Sequence, residues 1–205
     1  MHGGKEFTDG KHIKAICDHL QWVAERKIRK LLINLPPRHG KSSIIAVAFP
    51  AWLWLQNPAE EFLCASYVAQ FSYRDSRKCR ALMQSPWYQQ NWGHKFRLLK
   101  DQNTKGRFDN NKYGYRIATS SGGSVTAEGG SIILVDDPNS AADNTSIVER
   151  EGRIEWWTQV MSTRMNDKKN DCMVVVQQRI HEKDVSGFIL ANDEDNEWTK
   201  PILPN

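Results

Sequence analysis

The stretch Leu31-Leu32-Ile33-Asn34-Leu35-Pro36-Pro37-Arg38-His39-Gly40-Lys41-Ser42 decides how the rest of the chain is read. Leu31 to Leu35 is a short apolar run with the length of a buried strand. It stops at Pro36-Pro37, which cannot continue a central strand. Gly40-Lys41-Ser42 then opens an apolar, helix-like stretch. Strand, tight loop, Gly-Lys-Ser and helix together are the context of a phosphate-binding loop. Backbone N–H groups at a helix N-terminus are unpaired and lie at the positive end of the helix dipole, so they attract phosphate. The expected cradle is Pro36, Pro37, Arg38, His39, Gly40, Lys41, Ser42 and Ser43. Lys41 is placed to reach the β- and γ-phosphates, and the Ser42 hydroxyl to ligate Mg²⁺. The general pattern G-x-x-x-x-G-K-[ST] begins with glycine; here that position is Leu35, so prolines set the turn.

Length and composition frame this loop. A chain of 205 residues, 40% hydrophobic, can bury one α/β core. Its net charge of +4 permits an anionic partner without demanding one. The four cysteines, Cys17, Cys64, Cys79 and Cys172, form no C-x-x-C pair and fit a reduced compartment. The histidines show no metal-ligand spacing. The N-terminus lacks the apolar core of a signal peptide, and no run reaches the length of a membrane span.

Upstream of the loop, Ile13, Ile16, Leu20 and Val23 recur at helical spacing between Lys11 and Lys27. Gln21 on that helix can face an adenine ring or simply the solvent. Downstream, Ser42 to Gln56 is apolar nearly all round, which suits a buried helix, and Pro50 should kink or end its first segment. Glu61 to Tyr67 reads as a second buried strand, and Val68 to Met83 as a polar helix with Arg74, Arg77, Lys78 and Arg80. Those cations suit DNA phosphates or a solvated face equally well. Residues 85–114 mix aromatics with basic residues and read as an irregular insertion. Tyr115 to Ser120 is a strand, and Ser121-Gly122-Gly123-Ser124 a turn. Ser146 to Ser162 is a helix, Cys172 to Val176 a last apolar strand, and residues 180–205 drift into acidic, polar sequence.

Two strand ends supply the chemistry that a phosphate loop needs. Ile132-Ile133-Leu134-Val135 runs into Asp136-Asp137-Pro138, about 95 residues after Lys41. A central parallel strand presenting acids at its C-terminal end delivers them to the edge where ligands bind in open α/β sheets. Asp136 is the expected Mg²⁺ holder, and Asp137 the group that orients or deprotonates the attacking water. After Val174 to Val176 comes a polar tip, where a glutamine can sense the γ-phosphate. Gln178 is the first choice and Gln177 the second, since strand alternation sends the two to opposite faces. Charge developing on the γ-phosphate asks for an arginine. Arg38, Arg164 and Arg179 are candidates that spacing alone does not rank.

Taken jointly, the motifs resemble the ATPase domain of the large terminase subunit of tailed bacteriophages. The carrying segments are Ile33 to Ser42, Ala65-Ser66-Tyr67, Gly122-Gly123-Ser124, Ile133 to Pro138 and Gln178 to Asp184. Their order agrees from about residue 12 to residue 190. The resemblance implies a RecA-like, additional-strand (ASCE) P-loop NTPase: an α/β fold with a mostly parallel central sheet flanked by helices. It implies ATP and Mg²⁺, and a motor that moves double-stranded DNA into a procapsid in the host cytoplasm. It also implies a ring, typically of five copies, on the portal protein, with a small terminase subunit as partner and no membrane. The domain expected is residues 1–190, with 1–30 as lead-in and 191–205 as tail or linker. The family's nuclease domain is not expected here, nor DNA cleavage.

This sequence departs from the family at two places. Where the family often has Thr-Gly-Arg-Gly ahead of the acidic strand, it has Thr126-Ala127-Glu128-Gly129. That removes the arginine of that loop and raises Arg38 and Arg164. Where the family often has Thr-Arg-Trp-His, it has Gln178-Arg179-Ile180-His181. Other functions meet this sequence less well. A helicase needs further motifs that do not fit, and a small-molecule kinase needs a lid and acceptor pocket. A module that binds nucleotide with weak or no hydrolysis remains the alternative.

Overall fold

The computed structural model describes residues 10–122 and 128–203. In chain order its first half contains α1 (Lys11–Ala24), β1 (Lys30–Asn34), a π-helical segment (Ser43–Ala48) running into α2 (Phe49–Gln56), β2 (Glu61–Ser66), α3 (Ala69–Met83) and α4 (Pro86–Trp92). Then come β3 (Leu98–Asn103), β4 (Arg107–Asn110), β5 (Tyr115–Ser120), β6 (Ile132–Asp136), α5 (Ile147–Gln159), β7 (Cys172–Gln177), α6 (Val185–Ala191) and β8 (Trp198–Thr199). The expected turn from Ser121 lies outside the described residues at 123–127.

Among the described residues eight strands form one sheet, ordered β3-β4-β5-β2-β6-β7-β1-β8. From β5 to β8 neighbours are parallel; β3 and β4 are antiparallel. β7 lies between β1, which leads into the phosphate loop, and β6, which ends in the acids.

The central strands are apolar on both faces because both faces are covered. Leu31, Ile33, Phe62, Cys64, Ile132, Leu134, Val174 and Val176 pack under α1–α4. The alternate residues Leu32, Leu63, Ala65, Ile133, Val135, Met173 and Val175 pack under α5 and α6, against Trp156, Trp157, Val185 and Ile189. Fully burying each such aliphatic side chain contributes about 1.5–3 kcal/mol. The period of two also fixes which strand-end group faces which layer. Asp136 continues the face shared with the phosphate-loop helix, and Gln177 the face under α5 and α6.

As expected, the first helical segment ends at Pro50: the π-helical turn closes at Ala48, and α2 starts at Phe49 with Pro50 in its first turn. Proline lacks an N–H and its ring presses on the carbonyl four residues back, here Ala46. The turn before it widens: the Phe49 N–H reaches Ile44 O, five residues back. The Ala46 carbonyl, without an α-helical donor, accepts a hydrogen bond from Arg116 Nη2 at 3.1 Å.

Two expectations are corrected. Residues 85–114 are not irregular. Ser85-Pro86 starts α4, with Ser85 Oγ accepting from the Tyr88 N–H, and the chain then forms the β3–β4 antiparallel pair. The tail or linker expected at residues 191–205 contributes a strand to the sheet. Asp184 caps α6 by accepting from the Gly187 N–H at 2.8 Å, and β8 adds a parallel strand beside β1. All four cysteines are free, with Cys64, Cys79 and Cys172 buried. No described helix is long and apolar enough to cross a membrane.

Candidate phosphate-binding site

The loop after β1 is tied to its neighbour strand, the Leu35 N–H donating to Gln177 O at 3.1 Å. Pro36 and Pro37 turn the chain outward, and two residues then take positive φ, Arg38 at 67° and Gly40 at 77°. Gly40 accepts that conformation without steric cost, whereas Arg38 is held there at a cost. His39 Nδ1 lies 2.9 Å from Pro37 O, so this nitrogen carries the proton in the contact. The helix then starts at Lys41, with Ile44 N–H donating to Gly40 O.

Across from the loop, β6 delivers its acids. Lys41 Nζ, nearly buried, donates to Asp137 Oδ1 at 2.7 Å. The same oxygen accepts the Gln178 backbone N–H at 2.8 Å. Asp137 is itself strained, at φ 46°, and is pinned by backbone bonds to Val176 O and from Tyr67 N–H. Asp136 is buried, and burial first, then the neighbouring Asp137 charge, pushes its carboxyl up to about 7. The Ser42 hydroxyl and Lys41 pull in the other direction. Asp136 Oδ1 has no hydrogen-bond partner among the described residues.

That orphaned carboxylate oxygen, hydrogen-bonded through its group to Ser42, is the donor chemistry of a hard divalent cation. Mg²⁺ typically takes one or two protein oxygens and completes its shell with water and phosphate. No cluster of three or more His, Cys, Asp or Glu exists among the described residues, so such an ion would depend on the phosphates of its ligand.

Pro37, Arg38, Gly40, Lys41, Ser42, Ser43, Asp136 and Asp137 line one cleft of about 520 Å³ at the C-terminal edge of the sheet. Pro36 and His39 lie in the same loop, exposed beside it. Beside the loop helix, α1 and α2 frame a second, apolar hollow of about 350 Å³ that includes Gln21, Ile44, Phe49 and Trp52. Gln21 Nε2 is engaged with Glu25 Oε1 at 3.0 Å. A larger groove of about 820 Å³ between α5 and α6 contains none of the loop residues or strand-end acids.

Other expected residues are sorted by the fold. Gln178 meets Asp137 through its backbone, and its side chain is half-buried. Gln177 turns to the opposite face, donating to Asn139 Oδ1 and accepting from Ser186. Arg179 pairs with the buried Asp184 at 3.0 Å, outside the cleft. Arg164 does not meet its own phosphate loop. Its carbonyl accepts the Gly130 N–H, at the N-terminal end of β6. Six residue steps along the chain separate Gly130 from Asp136, roughly 20 Å. Conversely Arg74, read from sequence as a cation for DNA phosphates or a solvated helix face, lines the cleft with Ser66, Tyr67 and Phe71. Its guanidinium forks onto Asp75, both contacts 2.9 Å, and lies over the Phe71 ring. The signal available was its place on the first turns after a strand pointing at the same edge.

No family model and no curated protein matches the chain. Solved structures do. The crystal structure of the HK97 bacteriophage large terminase superposes with a TM-score of 0.66 at 11% identity, covering 98% of this chain and 40% of that one. The large terminase of the thermophilic bacteriophage D6E gives 0.62 at 10% identity, covering 96% of this chain and 45% of that one. The chain thus spans less than half the length of these proteins, and over that span it has the fold of the bacteriophage large terminases.

Proposed function

We propose that this chain is an ATP-hydrolysing motor domain that drives double-stranded viral DNA into a procapsid. The observation that carries the reading is the convergence of Lys41, Ser42, Asp136 and Asp137 on one cleft at the C-terminal sheet edge. In this reading the loop N–H groups and Lys41 hold the β- and γ-phosphates, and the apolar hollow beside α1 takes the base. Phosphate draws Lys41 away from Asp137, which frees that carboxylate to orient the attacking water and accept its proton. Mg²⁺, held by Ser42 and Asp136, would neutralise phosphate charge. Arg38 and Arg74 are the cations of the chain's own cleft available to the developing charge. Arg164, at the opposite end of β6, would serve a neighbouring copy's nucleotide rather than its own. The partners of this reading are DNA, a portal protein, a small terminase subunit and further copies in a ring, typically of five.

A second reading, nucleotide binding with weak or no hydrolysis, is favoured by one observation. The Lys41–Asp137 ion pair occupies both the phosphate lysine and the base. Phosphate release, measured with Mg²⁺ and with and without double-stranded DNA over a range of protein concentrations, separates the two. Turnover lost in Lys41→Ala is the expected result. Zero turnover of the unaltered protein in every condition leaves the binding module.

A further inference from the structure

Behind the phosphate loop, under α3, lies a cavity of about 10 Å³. Every residue lining it is buried. Arg116, Asp75, Asp136, Ser66, Ser72 and Cys64 form its polar wall. Asp136 and Ser66 also line the phosphate cleft, so they form the partition between cleft and cavity.

Arg116, on β5, is fully buried. A buried charge is costly unless its donors are matched. One donor is: Nη2 bonds the Ala46 carbonyl that Pro50 leaves free. Its Nε and Nη1 have no partner among the described residues, and neither does Asp136 Oδ1 across the cavity. The one nearby acid with both oxygens engaged, Asp75, is taken by Arg74. The residues that carry these unpartnered donors and this unpartnered acceptor therefore line one void. Its volume is that of a single water, and a water needs two or more polar partners to settle in such a place.

We propose that Arg116 is a positioning residue for the Asp136 carboxylate, acting through one buried water in this cavity. The proposal rests on the nucleotide-site reading above. The water accepts from the guanidinium and donates to Oδ1, whose two lone pairs leave room for a second contact on the cleft side. The guanidinium thereby fixes the carboxylate from behind, while Ser42 bonds it from the loop. Sequence offered no sign of this, because Arg116 sits in a strand whose neighbours are apolar or small.

Groups that hold a metal ligand in place affect metal affinity by about 10- to 100-fold. The test is Mn²⁺ binding, followed by electron paramagnetic resonance, to protein loaded with a non-hydrolysable ATP analogue. R116M is expected to weaken Mn²⁺ by about tenfold or more, with analogue binding in EDTA unchanged and with partial recovery in R116K. Adding P50A to R116M supplies the Ala46 carbonyl with a backbone donor, and so recovers stability without recovering Mn²⁺. Unchanged Mn²⁺ affinity in folded R116M overturns the proposal, as does full recovery in R116M/P50A, which would make Arg116 a helix support only. If the unaltered protein binds no Mn²⁺ with the analogue, the nucleotide-site reading itself fails, a different result. A high-resolution crystal structure of the unaltered protein gives an independent check. Density for a water between Arg116 and Asp136 is expected, and an empty cavity overturns the proposal.

Discussion

Asp136→Asn should make the metal-free protein more stable above neutral pH while removing its response to Mg²⁺. Burial and the Asp137 charge hold the Asp136 carboxyl at about 7, against an ordinary 3.8. Roughly three units at about 1.4 kcal/mol each amount to about 4 kcal/mol against the ionised form. The direction with pH follows from proton counting. Between about pH 4 and pH 7 the native state keeps a proton that the unfolded chain releases, so stability from this group falls as pH rises. Below that window the penalty is absent, and above it the penalty is complete. Asparagine removes the charge but buries an amide N–H pair with few acceptors, a loss of about 1–2 kcal/mol. A bridging water shrinks the gain further, leaving about 2 kcal/mol at pH 8 and none, or a small loss, at pH 4. Urea denaturation in EDTA at several pH values reads this directly, and the gap between variant and parent should widen with pH. Mg²⁺ with ATP should then raise the stability of the parent but not of the variant. A gap that is constant across pH, or a variant less stable than its parent at pH 8, would refute the reasoning.

Further outcomes follow from the same geometry. Arg38→Ala and Arg74→Ala should each lower phosphate release, by about 10²-fold if they stabilise transition-state charge. Arg164→Ala should leave the turnover of dilute, isolated protein unchanged; an equal loss would place Arg164 at its own nucleotide. Asp184→Ala should lower thermal stability by about 2–4 kcal/mol, because this buried carboxylate caps α6 and pairs Arg179. A melting temperature within a degree of the parent would contradict that. Gln177→Ala should destabilise the fold by about 1–3 kcal/mol by taking the acceptor from the Ser186 N–H and hydroxyl and one of two donors from Asn139 Oδ1, whereas Gln178→Ala should act on turnover and leave the melting temperature in place.

The sequence made the central strands and the acid pair legible because burial on both faces leaves apolar runs, and the runs end in charge. The order of the sheet was reachable only through the resemblance. The β3–β4 pair was not visible, since edge strands are held by backbone bonds and need no apolar alternation; four of the six residues of Leu98–Asn103 are polar. Asp184 as a cap was readable, a carboxylate just before an apolar run, but the acidic composition around it masked the signal. Pro50 marked the end of the first helical segment correctly, but not that the turn before it is π-helical or that a distant arginine supplies the donor that the helix lacks. Arg74 and Arg116 were missed for a common reason: spacing along a chain does not say which buried cation ends beside which strand-end acid.

The two borders of the sheet carry a last consequence. One ends in β8, only two residues long; the other ends in β3, whose pairing shifts register and whose outer residues include exposed Lys100 and Asp101. Neither offers a long flat row of free backbone groups to another chain. Copies of this protein brought side by side therefore have little opportunity to fuse into one continuous sheet. They would meet through side chains, which can part and re-form within each cycle, and a fused sheet cannot.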